Sequence, residues 1–380
     1  MINKISRKSL VLGIAILFMG VCIISGSIGT KIDRRNNTID LAYGKTLYVG
    51  GSGGDNYTTI QEAIDAATNG DIVFVYDNSS PYPESININK QISVIGENRD
   101  TTIINGESGP DYIVHISSDN AEINGFTISG ETGEQNGIKV YKLLGVKNSS
   151  ISNNIIKNNS IGILLQVGSV RITITNNMIL NNEYEGIELS EGDHNEITGN
   201  TIEDNGGSGI VLETLSEKNE ISGNTIEGNL AGIKLLGGSN QNTISGNKIT
   251  NNERDGILAD GILTKANDII GNNITNNKVG IKISSSGKNT ITSNNIKDNS
   301  MEGVYLTLSN ENIIEKNNFI GNRKNARYLI CFRNTWDANY WDDWIGVKLE
   351  LPLFRMFPKV IRAIVLRSYD WHPQDVPYNI

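Results

Sequence analysis

The stretch ISGNTIEGN, from Ile221 to Asn229, recurs as ISGNKITNN, from Ile244 to Asn252. Related versions are ITGNTIEDN, which begins at Ile197, and IIGNNITNN, which begins at Ile269. The Asn of the Asn-x-Ile pattern recurs in steps of 22 to 25 residues, at Asn154, Asn177, Asn200, Asn224, Asn247, Asn272, Asn294 and Asn317. A period in the twenties indicates a solenoid, in which each repeat forms one turn of the chain.

Each repeat holds three short apolar alternations that Gly and Asn separate. In one repeat these are residues 220–222, 225–227 and 232–235. Leucine-rich repeats have a similar period, but they need a Leu-x-x-Leu-x-Leu frame that the repeats lack. The pattern therefore predicts an all-β parallel β-helix with three strands per coil, bent at Gly and Asn corners. We expect about 10–12 coils, stacked about 4.8 Å apart.

A column of asparagines stands three residues after each repeated Ile. In stacked coils these side chains lie above one another, so each amide can donate to one neighbour and accept from the other. The predicted ladder consists of Asn159, Asn182, Asn205, Asn229, Asn252, Asn277, Asn299 and Asn322. A second column consists of Asn195, Asn219, Asn242, Asn267, Asn289 and Asn312. We interpret the repeated asparagines as structural rather than as copies of a functional site.

Both ends of the repeat region carry sequences suited to capping a solenoid. TTIQEAIDAATNG, residues 58–70, has Thr59 and Glu62 as a capping box and Gly70 as a stop signal, which predicts a capping helix. We expect the β-helix over residues 45–325, with regular 23-residue repeats over about 124–325. Residues 326–380, which are rich in Trp and Asp, are predicted to form an irregular or helical C-terminal cap.

The N-terminal sequence indicates export. Lys4, Arg7 and Lys8 precede the apolar run from Leu10 to Ile24, the pattern of a signal peptide or of an N-terminal membrane anchor over residues 1–29. Residues 30–44 are interpreted as a linker. We expect an extracellular, cell-surface or periplasm-like location, with a membrane contact only if the N-terminal segment is retained. Cys331 is then the one cysteine of the exported part, so no internal disulfide is expected.

Charge and composition limit the classes of partner that the chain can bind. The formal net charge is −9, and the repeats show no Lys/Arg-rich stripe, which argues against nucleic acid as a partner. Asparagine is unusually frequent, with 51 residues, but the regular isoleucines argue against a disordered low-complexity tract. We expect a monomer whose partner is a polysaccharide or another envelope protein.

The chain resembles a known family. YTTIQEAIDAATNGDIVFVY, residues 57–76, YPESININKQISVIGEN, residues 82–98, and the Asn-x-Ile and Gly-Ile repeats resemble right-handed parallel β-helix proteins of the pectin-lyase-like superfamily. Among these, the NosD-like group of repeat proteins is the most similar. The tail, with NTWDANYWDDW at residues 334–344 and SYDWHPQDVPYNI at residues 368–380, resembles the ends of exported archaeal β-helix proteins. The resemblance implies the fold and export, whereas members of the superfamily differ in activity.

Candidate site residues lie on one predicted outer face and in the tail. Glu188, Glu213 and Asp260 are candidate catalytic carboxylates, because paired carboxylates serve acid–base chemistry on glycosidic bonds. The alternative is a solvated face of mixed charge. Aromatic rings can stack on sugars, and basic groups can bind charged substituents of sugars. In the alternative interpretation, the tail aromatics instead plug the last coil. Candidate substrate-binding residues are Lys234, Lys282, Tyr305, Trp336, Trp341 and Trp344.

No cofactor is predicted. The resemblance to NosD suggests copper, but the imidazole, thiolate and thioether groups that copper prefers are not clustered in the sequence. Calcium is less easily dismissed than copper, because Asp337, Asp342 and Asp343 lie close together and Asp370 and Asp375 follow, although without a calcium-loop spacing. The segment from Leu351 to Ser368 mixes apolar and basic residues and could contact an anionic membrane, but Pro358 interrupts it.

Three functions remain open from the sequence. The first is a surface-associated β-helix that binds or organises glycans or envelope partners without catalysis. The second is a polysaccharide lyase or hydrolase that acts on the face of Glu188, Glu213 and Asp260. The third is a NosD-like accessory protein of copper-centre maturation.

Overall fold

The structure is a computed structural model that describes residues 29–32, 39–42, 44–106, 109–130, 134–343, 370 and 372–380. The chain winds into a right-handed solenoid of about 13 coils, in which three parallel sheets run along the length of the molecule. We name these sheets A, B and C in the order in which each coil contributes a strand to them. The predicted signal or anchor segment lies almost wholly outside the described residues.

The strands are numbered β1 to β37 along the chain. Sheet A contains β3 (Thr46–Val49), β4 (Ile72–Val75), β6 (Ser93–Gly96), β9 (Glu122–Asn124), β12 (Ser150–Ser152), β15 (Thr173–Thr175), β18 (Glu196–Thr198), β21 (Glu220–Ser222), β24 (Thr243–Ser245), β27 (Asp268–Ile270), β30 (Thr290–Thr292), β33 (Ile313–Glu315) and β36 (Thr335–Asp337). Sheet B contains β7 (Ile103–Asn105), β10 (Thr127–Ser129), β13 (Ile155–Lys157), β16 (Met178–Leu180), β19 (Thr201–Glu203), β22 (Thr225–Glu227), β25 (Lys248–Thr250), β28 (Asn273–Thr275), β31 (Asn295–Lys297), β34 (Asn318–Ile320) and β37 (Tyr340–Trp341).

Sheet C has the longest strands. It contains β5 (Ile86–Ile88), β8 (Tyr112–Ile116), β11 (Asn136–Val140), β14 (Ile163–Leu165), β17 (Ile187–Ser190), β20 (Ser208–Glu213), β23 (Ala231–Leu235), β26 (Asp255–Asp260), β29 (Val279–Ser284), β32 (Glu302–Thr307) and β35 (Lys324–Leu329). Separately, β1 (Gly29–Ile32) pairs antiparallel with β2 (Ile39–Ala42), so the segment interpreted as a linker contains a short two-stranded pair.

The core is a stack of aliphatic side chains. In the central coils Ile221 of sheet A pairs with Ile244, Ile226 of sheet B with Ile249, and Ile233 of sheet C with Ile257, and all six side chains are fully buried. The alternation of apolar and polar residues points each Ile inward, because successive side chains of a strand face opposite sides. The predicted parallel β-helix is confirmed, and the strand triplets lie where the sequence pattern places them.

Three buried asparagine ladders join the coils. In the ladder that begins at Asn159, Nδ2 of Asn159 donates to Oδ1 of Asn182 at 3.1 Å, and the backbone N–H of Asn159 donates to the same oxygen at 3.1 Å. The same double contact continues along the column to Asn322. The column of Asn195 forms a second ladder and the Asn-x-Ile anchors form a third, which the sequence had marked only as a repeat position. Each ladder satisfies buried backbone donors at a corner of the coil.

The glycine of each Gly-Ile pair has a packing reason. A Cβ built on Gly256 would lie 2.7 Å from the carbonyl oxygen of Gly280 and 2.7 Å from Cγ2 of Ile274. A side chain at this position would collide with the next coil, so the strand enters sheet C with the backbone of neighbouring coils in close approach.

A short helix covers the N-terminal end, as predicted, but it is shorter than residues 58–70. Helix α1 runs from Ile60 to Ala66, and the Thr59 hydroxyl accepts from the backbone N–H of Glu62 at 3.2 Å. Both carboxylate oxygens of Glu84 accept from the first helical N–H groups, those of Ile60 and Gln61. Ile60 and Ile64 are fully buried against the first coils. Within the described residues, no helix is long and apolar enough to span a membrane.

The solenoid continues past the predicted boundary at residue 325. Strands β36 and β37 extend sheets A and B to residue 341, and Asp370 then pairs with Trp336 by a parallel bridge. The 13 strands of sheet A accordingly exceed the 10–12 coils expected from the sequence. The extra coils come from the less regular ends, where the Asn and Gly-Ile signals weaken.

Candidate functional site

The outward face of sheet C is the broadest strand surface of the molecule. Its register aligns one outward residue from each strand in a central column, which runs through Asn87, His115, Lys139, Leu164, Glu188, Val211, Lys234, Leu258, Lys282, Tyr305 and Arg327. Neighbouring members stand about 4.8 Å apart, the spacing of hydrogen-bonded strands. The column contains four basic residues and one carboxylate, in a chain whose net charge is −9. This column therefore differs in charge from the protein as a whole.

Aromatic and charged groups cluster at the N-terminal end of the column. Nζ of Lys139 lies 2.7 Å from Oδ2 of Asp111 and 5.8 Å from the centre of the Tyr141 ring. The rings of Tyr112 and His115 are 4.8 Å apart, and Nε2 of His115 contacts the carbonyl oxygen of Tyr141 at 2.9 Å. Burial lowers the pKa of His115, which favours its neutral form. The cluster offers rings, a cation and a carboxylate at one place on the surface.

The predicted carboxylates occupy the middle of the face. Glu188 lies in the central column, while Glu213 pairs with Ser190 in the adjacent outward position. Burial raises the pKa of Glu188 to about 7, and the negative charges of Glu213 and Glu185 add to this shift. Glu188 and Glu213 therefore lie close enough for the charge of Glu213 to shift the pKa of Glu188. Asp260 ends a strand two coils beyond Glu213, about 10 Å away by the strand spacing, and does not join the pair.

Lys234 and Lys282 flank a third carboxyl group, Asp255. Burial raises the pKa of Asp255, and the two lysines oppose this shift. Lys234 and Lys282 both pair with Leu258, one from each side, so an apolar residue separates the two ammonium groups in the column. The predicted lysines therefore belong to the same surface as Glu188.

Tyr305 lies under a cation at the C-terminal end of the column. The Arg327 guanidinium lies 4.9 Å from the centre of the Tyr305 ring, and its Nη1 lies 3.2 Å from Oε1 of the buried Glu302. The contact with Glu302 fixes the guanidinium over the ring, which is a cation–π arrangement. Both ends of the face thus combine an aromatic ring with a basic group.

Two tail tryptophans, Trp336 and Trp341, pack in or against the core. Trp336 is 3% exposed, which leaves no ring face for a ligand, so the interpretation of Trp336 as a substrate-binding residue is wrong. Trp341 stacks on Phe319 with ring centres 4.4 Å apart, and its Nε1 donates to Oδ2 of Asp370 at 3.0 Å. These rings close the last coil, as the alternative interpretation holds. Trp344 lies outside the described residues.

The tail aspartates make contacts within the protein. Oδ1 of Asp342 and Oδ1 of Asp343 both accept from Nδ2 of Asn325, at 2.8 Å and 2.6 Å. Oδ1 of Asp337 lies 2.6 Å from Nδ1 of His372. Over the part of the chain that the structure describes, no three His, Cys, Asp or Glu residues are grouped as metal ligands would be. The arrangement supplies hydrogen bonds for the last coil, and calcium binding by these aspartates stays a prediction.

The sequence had not singled out the cluster of Asp111, Tyr112, His115 and Lys139. A signal was present, because His115 stands 24 residues before Lys139, within the range of the repeat. The Gly-Ile pairs start only at Gly137, so the coil of His115 lacks the marker that aligned the others. The sequence pattern did not identify Arg327 either, because its coil has Asn325 in place of the glycine of the Gly-Ile pair.

Two family models match the chain. Residues 91–249 match the right-handed β-helix region, and residues 216–346 match the family described as periplasmic copper-binding protein (NosD). The second range contains no histidine, one cysteine and one methionine, Cys331 and Met301. Copper sites in proteins are built from several imidazole, thiolate or thioether ligands. The residues of the matched range therefore do not fit a copper site.

Several solved structures share the fold. The A-module of mannuronan C-5 epimerase AlgE6 from Azotobacter vinelandii matches with a TM-score of 0.65 and 16% identity, over 74% of this chain and 88% of that one. The AlgE4 A-module from the same organism gives 0.64 and 18%, over 76% and 94%. The Dettilon tailspike protein gives 0.58 and 18%, over 75% and 68%. No curated protein matches the chain in sequence. The chain folds as a right-handed parallel β-helix, and parts of its sequence are similar to the right-handed β-helix region and to the NosD family.

Proposed function

We propose that this protein binds an anionic polysaccharide along the outward face of sheet C. The observation that carries this proposal is the central column, in which four basic residues and one carboxylate alternate with apolar and aromatic groups. Proteins of the same fold include epimerases named for mannuronan, which supports a polysaccharide as the ligand class. The N-terminal sequence pattern and the periplasmic description of the NosD family support export of the chain.

The geometry suits a long polymer better than a small molecule. The central column crosses eleven strands at about 4.8 Å each, so a polysaccharide that lies along it can contact several coils at once. Tyr141 and Tyr305, near the two ends, present rings next to Lys139 and Arg327. Sugar rings stack on aromatic faces while the cations attract carboxylate or sulfate substituents. Many weak contacts along the solenoid then sum to a measurable affinity for the polysaccharide.

Binding is tested by electrophoresis of the protein through gels that contain mannuronan or, as a neutral comparison, dextran. The Lys234→Gln/Lys282→Gln variant is expected to lose about tenfold in affinity for mannuronan, equivalent to about 1.4 kcal/mol. The matched control is Lys248→Gln/Lys297→Gln, which removes the same charge from the outer face of sheet B. Equal retardation of the two variants, or equal binding to dextran, contradicts the proposal.

A second candidate function is acid–base catalysis on the bound polymer. One observation favours it: the pKa of Glu188 is raised to about 7, so this carboxyl can hold or release a proton near neutral pH beside the carboxylate of Glu213. The test is to measure oligosaccharides, unsaturated ends or epimerised residues formed from the bound polysaccharide. Catalysis is supported if the parent protein forms such a product and the Glu188→Gln and Glu213→Gln variants do not. Binding without any product leaves the protein as a binding module.

A further inference from the structure

Exposed apolar side chains concentrate on one edge of the solenoid. We define the C–A edge as the turns that join the sheet C strands from β11 to β35 to the next sheet A strand, residues 141–149, 166–172, 191–195, 214–219, 236–242, 261–267, 285–289, 308–312 and 330–334. Nine of the sixteen large apolar side chains exposed in the described part of the chain lie there: Leu143, Leu144, Val167, Leu215, Ile262, Leu263, Leu308, Ile330 and Phe332. Such grouping marks an interaction surface, whereas scattered exposed residues need no explanation.

Two turns of the C–A edge project most strongly. Leu143 and Leu144 are 83% and 85% exposed, and Ile262 and Leu263 are 84% and 63% exposed. These pairs lie in longer turns: 141–149 has nine residues and 261–267 has seven, against five in 191–195, 285–289, 308–312 and 330–334. Added length that presents two apolar side chains to solvent has no role in core packing. These turns are therefore the strongest contact points of the edge.

The apolar residues form a row rather than isolated points. A Cβ built on Gly238 would lie 3.0 Å from Cδ2 of Leu215 and 3.4 Å from Cβ of Leu263, so these two side chains flank the small residue of the coil between them. From Leu143 to Phe332 the row spans eight coil steps, about 38 Å at the strand spacing. Because the coils stack along one axis, the row suits a flat and extended partner.

The charges of the C–A edge indicate the chemistry of that partner. Its turns carry four acidic residues, Glu191, Asp193, Glu217 and Glu311, and seven basic residues, Lys142, Lys147, Arg171, Lys218, Lys265, Lys288 and Arg333. This excess of basic groups occurs in a chain of net charge −9. Lys142 directly precedes Leu143, and Arg333 directly follows Phe332, so basic groups border the apolar ones. Apolar side chains bordered by Lys and Arg are typical of proteins that lie on anionic lipid surfaces.

A second copy of the chain in the same orientation fits this edge poorly. The acidic residues Glu191, Asp193 and Glu217 lie in the third and fourth of its nine turns, whereas basic residues dominate both ends. Two copies joined edge to edge in parallel would place like charges opposite each other, and two antiparallel copies would place Lys142 and Lys147 opposite Arg333 at their ends. An anionic lipid headgroup layer, in contrast, complements both ends. We infer that the C–A edge is a lipid-contacting surface, which lays the rod along an anionic membrane with the Leu143–Leu144 and Ile262–Leu263 turns inserted at the headgroup level.

In this orientation the outward face of sheet C stays open to the solvent beside the membrane, since the C–A edge forms only one border of that sheet. The inference concerns a surface separate from the polysaccharide face and does not depend on it. It also does not depend on the apolar run from Leu10 to Ile24, which can hold the chain near a membrane without orienting the rod.

The experiment places one environment-sensitive fluorophore on the full chain, in a background with Cys22→Ser and Cys331→Ser. The label is attached at Leu144→Cys or Ile262→Cys on the C–A edge, or at Tyr184→Cys as a control. Tyr184 is an exposed residue in the turn between sheets B and C. Vesicles consist of phosphatidylcholine with or without phosphatidylglycerol, and some carry a nitroxide on the lipid chains. Because all variants keep the same N-terminal segment, the comparison reports the orientation of the rod.

We expect a blue shift and nitroxide quenching at positions 144 and 262 with phosphatidylglycerol present, and no such change at position 184. Raised salt weakens the response, because it screens the basic groups. Equal responses at all three positions, or no response at the edge on vesicles that bind the chain, overturn the inference. A blue shift at the edge that grows with protein concentration in the absence of vesicles also overturns it, in favour of a second copy. Circular dichroism of each labelled variant confirms that the solenoid is folded.

Discussion

Asp370 completes the asparagine ladder that ends at Asn339: its Oδ2 accepts from the backbone N–H and from Nδ2 of Asn339, each at 2.9 Å. Within the ladder, each asparagine makes this same pair of contacts to the asparagine of the next coil, as Asn294 does to Asn317. A carboxylate can take the acceptor role but has no amide to donate. Asp370 is therefore suited to end the column, where no further coil follows within the described residues.

The role of Asp370 is tested by two substitutions. Asp370→Ala removes the acceptor of four donors, two from Asn339, one from Trp341 and the backbone N–H of His372, and is expected to cost about 1–3 kcal/mol per buried donor left without its acceptor. The loss concerns the last coil, so it is measured by hydrogen exchange at the amide of Asn339 and by tryptophan fluorescence. Asp370→Asn keeps an acceptor oxygen and is expected to retain most of the protection. The exposed Asp375→Ala is the control, and equal exchange in all variants contradicts the assignment.

The interior of a ladder is expected to tolerate substitution even less. Oδ1 of Asn224 accepts from the backbone and side chain of Asn200, and its Nδ2 donates to Ile197 and to Asn247. Asn224→Ala leaves buried donors of Asn200 without their acceptor, so we expect a loss of about 3 kcal/mol or more in the free energy of unfolding. Urea denaturation measures this loss. The control is the exposed Asn273→Ala, with an expected change within about 0.5 kcal/mol.

Gly256 tests the close approach of the coils. Gly256→Ala places a methyl group 2.7 Å from the carbonyl oxygen of Gly280, a backbone atom that cannot move without shifting the next coil. We expect a destabilisation of about 1–3 kcal/mol in urea denaturation, the usual range for overpacking. Gly54→Ala is the matched control, because a Cβ there meets nothing within 4 Å. If both variants unfold at the same urea concentration, the steric explanation of the Gly-Ile pairs is wrong.

The sequence predicted the fold because each regular coil has the same packing and hydrogen-bonding requirements. An Ile column, an Asn corner and a Gly at a close approach recur in each of the regular central coils, so the pattern is redundant there. The surface has no such redundancy. The environment of Glu188 depends on Glu185 and Glu213 from a turn and a neighbouring coil. The burial of Trp336 depends on whether another coil covers it, which spacing alone does not reveal at the irregular C-terminal end.

The pH dependence of stability tests the environment of Glu188. Its pKa of about 7 in the folded protein lies above the ordinary value of 4.5, so between these two pH values the folded state binds more protons than the unfolded state. The free energy of unfolding therefore decreases as pH rises through this interval. Because Glu188 is half-buried and solvent screens part of the effect, we expect a decrease of about 1 kcal/mol.

Glu188→Gln removes this titration, so the variant should be more stable than the parent protein above pH 7 and should show a flatter profile between pH 4.5 and pH 7. Urea denaturation at a series of pH values provides the measurement. The exposed Glu253→Gln serves as the control for loss of a carboxylate and should keep the parent profile. The Glu213→Gln variant, which removes one of the charges that raise the pKa of Glu188, should move the decline toward lower pH. If Glu213→Gln leaves the position of the decline unchanged, the two carboxylates do not act as a pair, which contradicts acid–base catalysis by Glu188 and Glu213.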